Sequence, residues 1–344
     1  QDKLHTFQAR KLASPVLKYK NHATGHFVNI DRFNKGGWQL GGGGGGELGF
    51  CEPAAAPRTW AVVNFARRDL DSRLLAQFVD FFVRMAGQRG INLSTNGRPP
   101  PLLEIEPPRQ PREVGPLLER ELQRQGGVQL SSLDFVLCVL PDHIKNFYEA
   151  VKRWAEATTG VPVQCCKASK IAGKGGKPMA TDAQYHAGLL LKVNLKLGGS
   201  NVMVERGLGL MKDRPTMVCG VDVYHAPPGS SRPSWAALVA SMDEHLARWH
   251  TIVDEQKSRQ EQLGAPTGLG GDEGAGFSLL THMRTCLREF VTQNNLPPER
   301  IIFYRDGVAH NQFEVVMSQE IGAITKALDE QGLAGRCELI FLVA

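Results

Sequence analysis

The chain has 344 residues, 42% hydrophobic and 22% charged, which is apolar material for two packed domains and too much for global disorder. Its longer apolar runs, such as residues 133–140, fall well short of the ~18 a membrane helix needs, so no membrane partner is expected. The net charge is only +5, yet residues 141–214 hold twelve Lys/Arg against six Asp/Glu, and the remainder sums to −1. A localised excess of this kind suits either an anionic partner or a solvated basic face.

In chain order, residues 1–57 read as a partly disordered connector. Residues 41–46 are six consecutive glycines and 52–57 are rich in Pro and Ala, and neither stretch can bury enough surface to order itself. Residues 60–65 (WAVVNF) read as a buried strand opening a domain. Residues 70–85 carry apolar positions at helical spacing, with Asp69 or Asp71 available to cap the start. Seven prolines between Pro99 and Pro116 predict a disordered bridge. Residues 133–140 (LDFVLCVL) are apolar enough for a central strand, which Pro141 ends. An amphipathic helix over 146–158 and a short strand over 161–166 complete a βαβ unit, hence a parallel sheet with its ligand beyond the strands' carboxyl ends. Another helix covers 183–197. The pattern then changes: 216–223, 234–241 and 249–253 read as meandering strands, and 264–276 as a flexible insertion. A helix at 279–291, a strand at 301–304, a helix at 313–328 and a strand at 338–344 follow, which is the element order of an RNase H-like domain. The seven cysteines form no CxxC pair, which leaves zinc-ribbon and thioredoxin chemistry without support and fits a reducing compartment.

Two groups of side chains carry chemistry. Tyr148 and Lys152 stand at i and i+4 on the predicted helix, Gln164 follows at the end of the next strand, and Lys192 and Lys196 form a second i, i+4 pair. Lysines, an amide and an aromatic ring could hold a doubly charged terminal phosphate and face its base, although lysines at this spacing are more often solvated surface. The nearby GKGGK (173–177) is no phosphate loop, because Ile171 and Pro178 stand where Gly and Ser/Thr are required; a mobile basic loop is expected. The second group is carboxylate. Asp222 lies late in one strand and Asp306 ends another, so the two could share Mg²⁺, or each could be an ordinary turn residue.

At these residues the sequence resembles the Argonaute family, of eukaryotic type. The matching strings are Y-E-A-V-K (148–152), V-Q-C (163–165), L-K-V-N-L-K-L-G-G (191–199), G-V-D-V-Y-H-A-P-P-G (220–229), S-M-D (241–243), R-Q-E (259–261) and R-I-I-F-Y-R-D-G-V (300–308). Residues 12–19 (LASPVLKY) resemble the linker before that family's middle domain. The resemblance implies a linker over 1–57, a Rossmann-like MID domain over 58–199, and an incomplete RNase H-like PIWI domain over 200–344. It puts Tyr148, Lys152, Gln164, Lys192 and Lys196 in a pocket for the guide strand's 5′ phosphate, with the Tyr stacked on the first base. The loop 142–147, one residue longer than in the animal proteins, corresponds to the segment that senses that base.

The resemblance further makes Asp222, Glu261 and Asp306 the slicing acids, with Asp222 and Asp306 holding Mg²⁺ or Mn²⁺. The family's fourth metal-site residue, usually His, would follow Ala344, and amino-terminal and PAZ domains would precede residue 1, which is Gln with no leader after it. The implied partners are a small guide RNA, a complementary target RNA and accessory silencing proteins, in the cytoplasm or also the nucleus. Cleavage of the target is the leading expectation for the intact protein. The rivals are a silencing protein that binds guides without cutting and an inactive truncated product.

Overall fold

The structure is a computed structural model that describes residues 8–9, 16–21, 26–30 (backbone alone at 27–30), 48–94, 99–173, 178–204, 211, 213–243, 245–261, 263, 277–308 and 312–343. The six-glycine run, most of the Gly/Lys loop and the 264–276 insertion lie outside the described residues. The chain divides into two compact units, Gln1–Glu205 and Arg206–Ala344.

The first unit is built on a parallel sheet of order β5(Leu102–Glu104)-β4(Trp60–Asn64)-β6(Phe135–Leu140)-β7(Val163–Lys167). Every residue of β4 and β6 is buried, which is why both read as unbroken apolar runs. Helices α1(Ser72–Gln88) and α5(Ala183–Lys196) pack one core through Phe78, Phe82, Leu190 and Val193. A second core gathers Leu118 and Leu122 of α2(Val114–Gly126) with Val151 of α3(Phe147–Arg153) and Trp154. The result is a doubly wound α/β layer arrangement. Asp71 caps α1, accepting from the N–H groups of Arg73 and Leu74, while Asp182 caps α5.

Two stretches depart from the sequence-based expectation. The connector supplies β1(Leu17–Asn21), β2(Phe27–Ile30) and β3(Leu48–Gly49), which form a small antiparallel sheet with β8(Met203–Val204). Leu17 and Tyr19 alternate inward on β1, but a partner nearly two hundred residues away leaves no local signal. The proline-rich bridge is also ordered, carrying β5, a 3₁₀ turn at Pro111–Glu113 and α2. Pro111 opens the turn and Pro116 lies in the first turn of α2, where no intrahelical N–H is lost.

In the second unit, β9(Thr216–Tyr224), β10(Ser234–Ser241) and β11(Trp249–Gln256) form an antiparallel meander, and β12(Arg300–Arg305) pairs parallel to both β9 and β13(Glu338–Val343). One face of this sheet buries Cys219, Val221, Ala236, Leu238 and Phe303 against α6(Leu279–Asn294) and the later helices. The alternate face carries Asp222, Tyr224 and Trp235, all exposed. The helix expected over 313–328 is interrupted: α7(Phe313–Val316) passes through a π-helical turn, Met317–Ile321, before α8(Gly322–Glu330). That turn places Glu320 in the interior, fully buried.

Candidate functional site

In the first unit, α3 buries Phe147 and Val151, and Trp154 continues the same stripe. Phe147 meets Phe65 edge-on at 4.9 Å between ring centroids, and the Trp154 indole donates to Glu119 at 3.0 Å. With that stripe inward, Tyr148 and Lys152 share the neighbouring one. Tyr148 is 51% exposed, so its ring is free to stack. The Lys152 ammonium pairs with Glu156, one turn further on. In the last turn of α5, the Lys196 ammonium donates to the Val163 carbonyl at 2.5 Å and to Gln164 Oε1 at 2.9 Å. Gln164 is buried, its amide N–H donating to the Cys165 carbonyl at 2.7 Å.

The Lys196 stem is exposed while its amine tucks against β7. Burial of that amine, with the charges of Lys152 and Lys192 beside it, holds its pKa below the ordinary lysine range. The adjacent Cys165 thiol is pushed up to about 11 by burial, against the pull of Lys196 and Lys152. Lys152, Lys192, Lys196 and Gln164 therefore make one cationic cluster, with Tyr148 a turn away. One expectation is corrected. Gln164, expected at the end of its strand, is the second residue of β7, so it and the Lys196 amine meet at the amino end of this edge strand. The cause is that α5 runs back along the strands, returning its last turn to where β7 begins. The loop after β6 is tied at its start by Asp142, which accepts from the Ser169 hydroxyl at 2.7 Å and backbone N–H at 2.8 Å.

In the second unit, the parallel register pairs Val221 of β9 with Arg305 of β12. Asp222 is the next residue of β9 and Asp306 the first beyond β12, its backbone N–H donating to the Val221 carbonyl at 3.3 Å, so the two are neighbours. Asp222 Oδ1 accepts from the Val223 N–H and Asp306 Oδ1 from the Gly307 N–H, each at 2.8 Å. A Cβ on Gly307, whose φ is +79°, would lie 3.3 Å from Glu261 Oε1 and 3.9 Å from Asp222 Oδ1. The three acids therefore converge where a side chain is missing.

Glu261 is held from two sides. His225 Nε2 lies 2.7 Å from its Oε2, and the Arg305 guanidinium donates to its Oε1 at 3.2 Å and its backbone carbonyl at 2.6 Å. Ser234 Oγ accepts the Arg259 N–H at 3.0 Å and meets His225 Nδ1 at 2.7 Å, so the imidazole is anchored through both ring nitrogens. Behind Arg305, the buried Glu320 accepts from Nε at 3.1 and 3.0 Å. Burial pushes the Glu320 carboxyl up, and the Arg305 charge pulls against it. Among the described residues no three His, Cys, Asp or Glu side chains are arranged to hold a metal ion, both Glu261 oxygens being engaged by His225 and Arg305. Asp222 and Asp306 remain, an exposed all-oxygen pair suited to a hard cation that keeps several waters.

His225, Ser234, Arg305 and Glu320 were not legible as site residues. A signal did exist for two of them. Arg305 follows four apolar or aromatic residues in a buried strand, and Glu320 falls between Val316 and Ile324 on an inward helical stripe, so each needed a charged partner.

The Piwi domain family profile matches residues 135–344. Protein argonaute 12 of Oryza sativa is 32% identical over 340 residues, covering 95% of this chain and 30% of the relative. This chain thus spans about a third of the length of the curated relatives it matches. Among solved structures, the MID-PIWI domains of N. crassa QDE-2 AGO superpose with a TM-score of 0.67 at 25% identity, covering 86% of this chain and 76% of that one. Kluyveromyces polysporus Argonaute, solved with a guide RNA, gives a TM-score of 0.65 at 21% identity over 97% of this chain and 36% of its own.

Proposed function

The chain belongs to the Argonaute family, with a Piwi domain, and from that premise we propose that it forms the guide-gripping and target-cutting part of a small-RNA-guided silencing protein. The observation that carries the cutting half is the convergence of Asp222, Glu261 and Asp306 on Gly307 at the ends of two paired parallel strands. Lys152, Lys192 and Lys196 bind the doubly charged 5′ phosphate of the guide, and Gln164 orients Lys196 toward it. The exposed Tyr148 ring stacks on the first base. Pairing with the guide selects the target RNA, so the protein itself need not read sequence.

Asp222 and Asp306 would hold Mg²⁺ or Mn²⁺, which when bound activates water and stabilises the leaving oxygen of a phosphodiester. Glu261 borders that pair, His225 holds one of its oxygens through Nε2, and Arg305 orients the carboxylate from the interior side. A guide-binding protein that does not cut is the second reading, favoured by the engagement of both Glu261 oxygens.

The test uses the intact protein loaded with guides of one sequence bearing either a 5′ phosphate or a 5′ hydroxyl. The expected result is tighter binding of the phosphorylated guide, target cutting by the wild type and none by Asp222→Ala. Equal cutting by both proteins removes Asp222 from the chemistry, equal affinity for both guides removes the pocket, and binding without cutting by the wild type selects the second reading.

A further inference from the structure

Glu320 is fully buried in the π-helical turn Met317–Ile321, away from any position that the three acids occupy in sequence. Its carboxylate does two things at once. Both oxygens accept from Arg305 Nε, and Oε1 also accepts the backbone N–H of Leu263 at 3.3 Å. Leu263 is two residues beyond Glu261 and is itself buried. The remaining face of the guanidinium is spent on Glu261, through its Oε1 and its carbonyl, and on the Asp306 carbonyl. Glu320 thus grips Glu261 by two routes, through the chain that follows it and through the arginine beside it.

A buried ion pair is a poor device for stability alone, since desolvation offsets most of the attraction and apolar residues of similar volume often do as well. What an apolar pair could not do is divide the arginine. Arg305 immediately precedes Asp306 and is fully buried, so its charge is met by the carboxylates and backbone carbonyls around it and not by water. Without a counter-charge behind it, the guanidinium would close on Glu261 and Asp306 and compete with any cation there.

We propose that Glu320 is a positioning residue for the acid centre: it neutralises Arg305 from behind, fixes Glu261 beside Asp222 and Asp306, and keeps the guanidinium from closing on those acids. This rests on the reading of the acids as a metal-dependent cutting centre.

The experiment uses the intact, guide-loaded protein and the variants Glu320→Gln and Glu320→Asp, each also in a Glu261→Asp background. Readouts are single-turnover cutting against Mg²⁺ concentration, guide affinity, and Mn²⁺ binding followed by electron paramagnetic resonance without target. Glu320→Gln, which keeps shape and removes charge, is expected to raise the Mg²⁺ requirement about fivefold and slow cutting at limiting Mg²⁺ about tenfold, with Mn²⁺ affinity falling in parallel and guide affinity unchanged. Glu320→Asp keeps the charge and should keep the Mg²⁺ requirement while cutting more slowly. In the Glu261→Asp background Glu320→Gln should cost much less than in the wild type, because its route to the reaction is already impaired. An unchanged metal requirement with effects that multiply across the two backgrounds overturns the proposal, as does a Glu320→Gln protein that cuts and binds Mn²⁺ like the wild type. Should Glu320→Gln not fold, a raised Mg²⁺ requirement or multiplying losses in Glu320→Asp overturn it equally. A wild type that binds guides and never cuts refutes the proposed function instead, and the Mn²⁺ titrations still decide the role of Glu320.

Discussion

Backbone register positions the acids of the second unit, whereas long side chains position the cations of the first. Asp222 and Asp306 are neighbours because Val221 and Arg305 pair across β9 and β12, and each is pinned by a peptide N–H one residue on. Lys152, Lys192 and Lys196 reach a common place from two different helices, and one of them already has an internal partner in Glu156. The difference matches two chemical tasks. A centre that works on one scissile bond needs carboxylates held to fractions of an ångström, while a pocket for a terminal phosphate profits from cations that can rearrange around it.

The comparison can be broken most sharply at Asp306. Asp306→Asn should reduce guide-directed cutting by about a thousandfold while leaving guide affinity unchanged, because charge at one rigid position is lost. Retention of more than a tenth of the wild-type rate would mean the register does not build the reactive centre. Next in size, Lys152→Ala with Lys196→Ala should cut the preference for 5′-phosphorylated over 5′-hydroxyl guides by about a hundredfold, two charge-assisted contacts being worth roughly 1.5–3 kcal/mol each before any compensation by Lys192. Competition binding with the paired guides measures this. A smaller loss would show how adaptable the remaining cations are.

Gly307→Ala sharpens the contrast from the other side. The added methyl must tolerate φ +79° and lie 3.3 Å from Glu261 Oε1, a strain of about 1–3 kcal/mol. Cutting should fall about tenfold by single-turnover kinetics, with guide binding untouched. The smallest effect is a pH dependence. The Lys196 pKa is depressed, so its amine is charged below that lowered value and neutral above it. Phosphate preference should therefore decline on the alkaline side at a lower pH than an ordinary lysine would allow, and Lys196→Arg should remove the decline. A preference flat through that range in the wild type would mean Lys196 does not touch the phosphate.

The legible part of the molecule follows locality. β4 and β6 were visible as unbroken apolar runs because central parallel strands are buried on both faces, and α1 was visible through its spacing of Leu75, Phe78, Phe82 and Met85. In the leading segment, β1 was invisible because its pairing with β8 depends on residues far along the chain. α2 was hidden by prolines whose positions at its start are harmless only once the helix exists. Within the sites, the acids stood out by resemblance and by their place at strand ends. The side chains that hold Glu261 did not: His225 looks like an ordinary polar residue, and Arg305 shows only a need for a charged partner, which the turn at Met317–Ile321 meets by bringing Glu320 inward.

Periodicity and composition alone determined the two α/β halves, the parallel character of the first and the mixed strand order of the second, because burial imposes its rhythm on every element locally. Which charges meet was decided only in three dimensions. Lys196 against β7 and the path from Glu320 through Arg305 to Glu261 each join residues whose partnership depends on how helices and strands pack. A side chain's neighbours across an interface are set by tertiary packing and leave no period in the sequence to read.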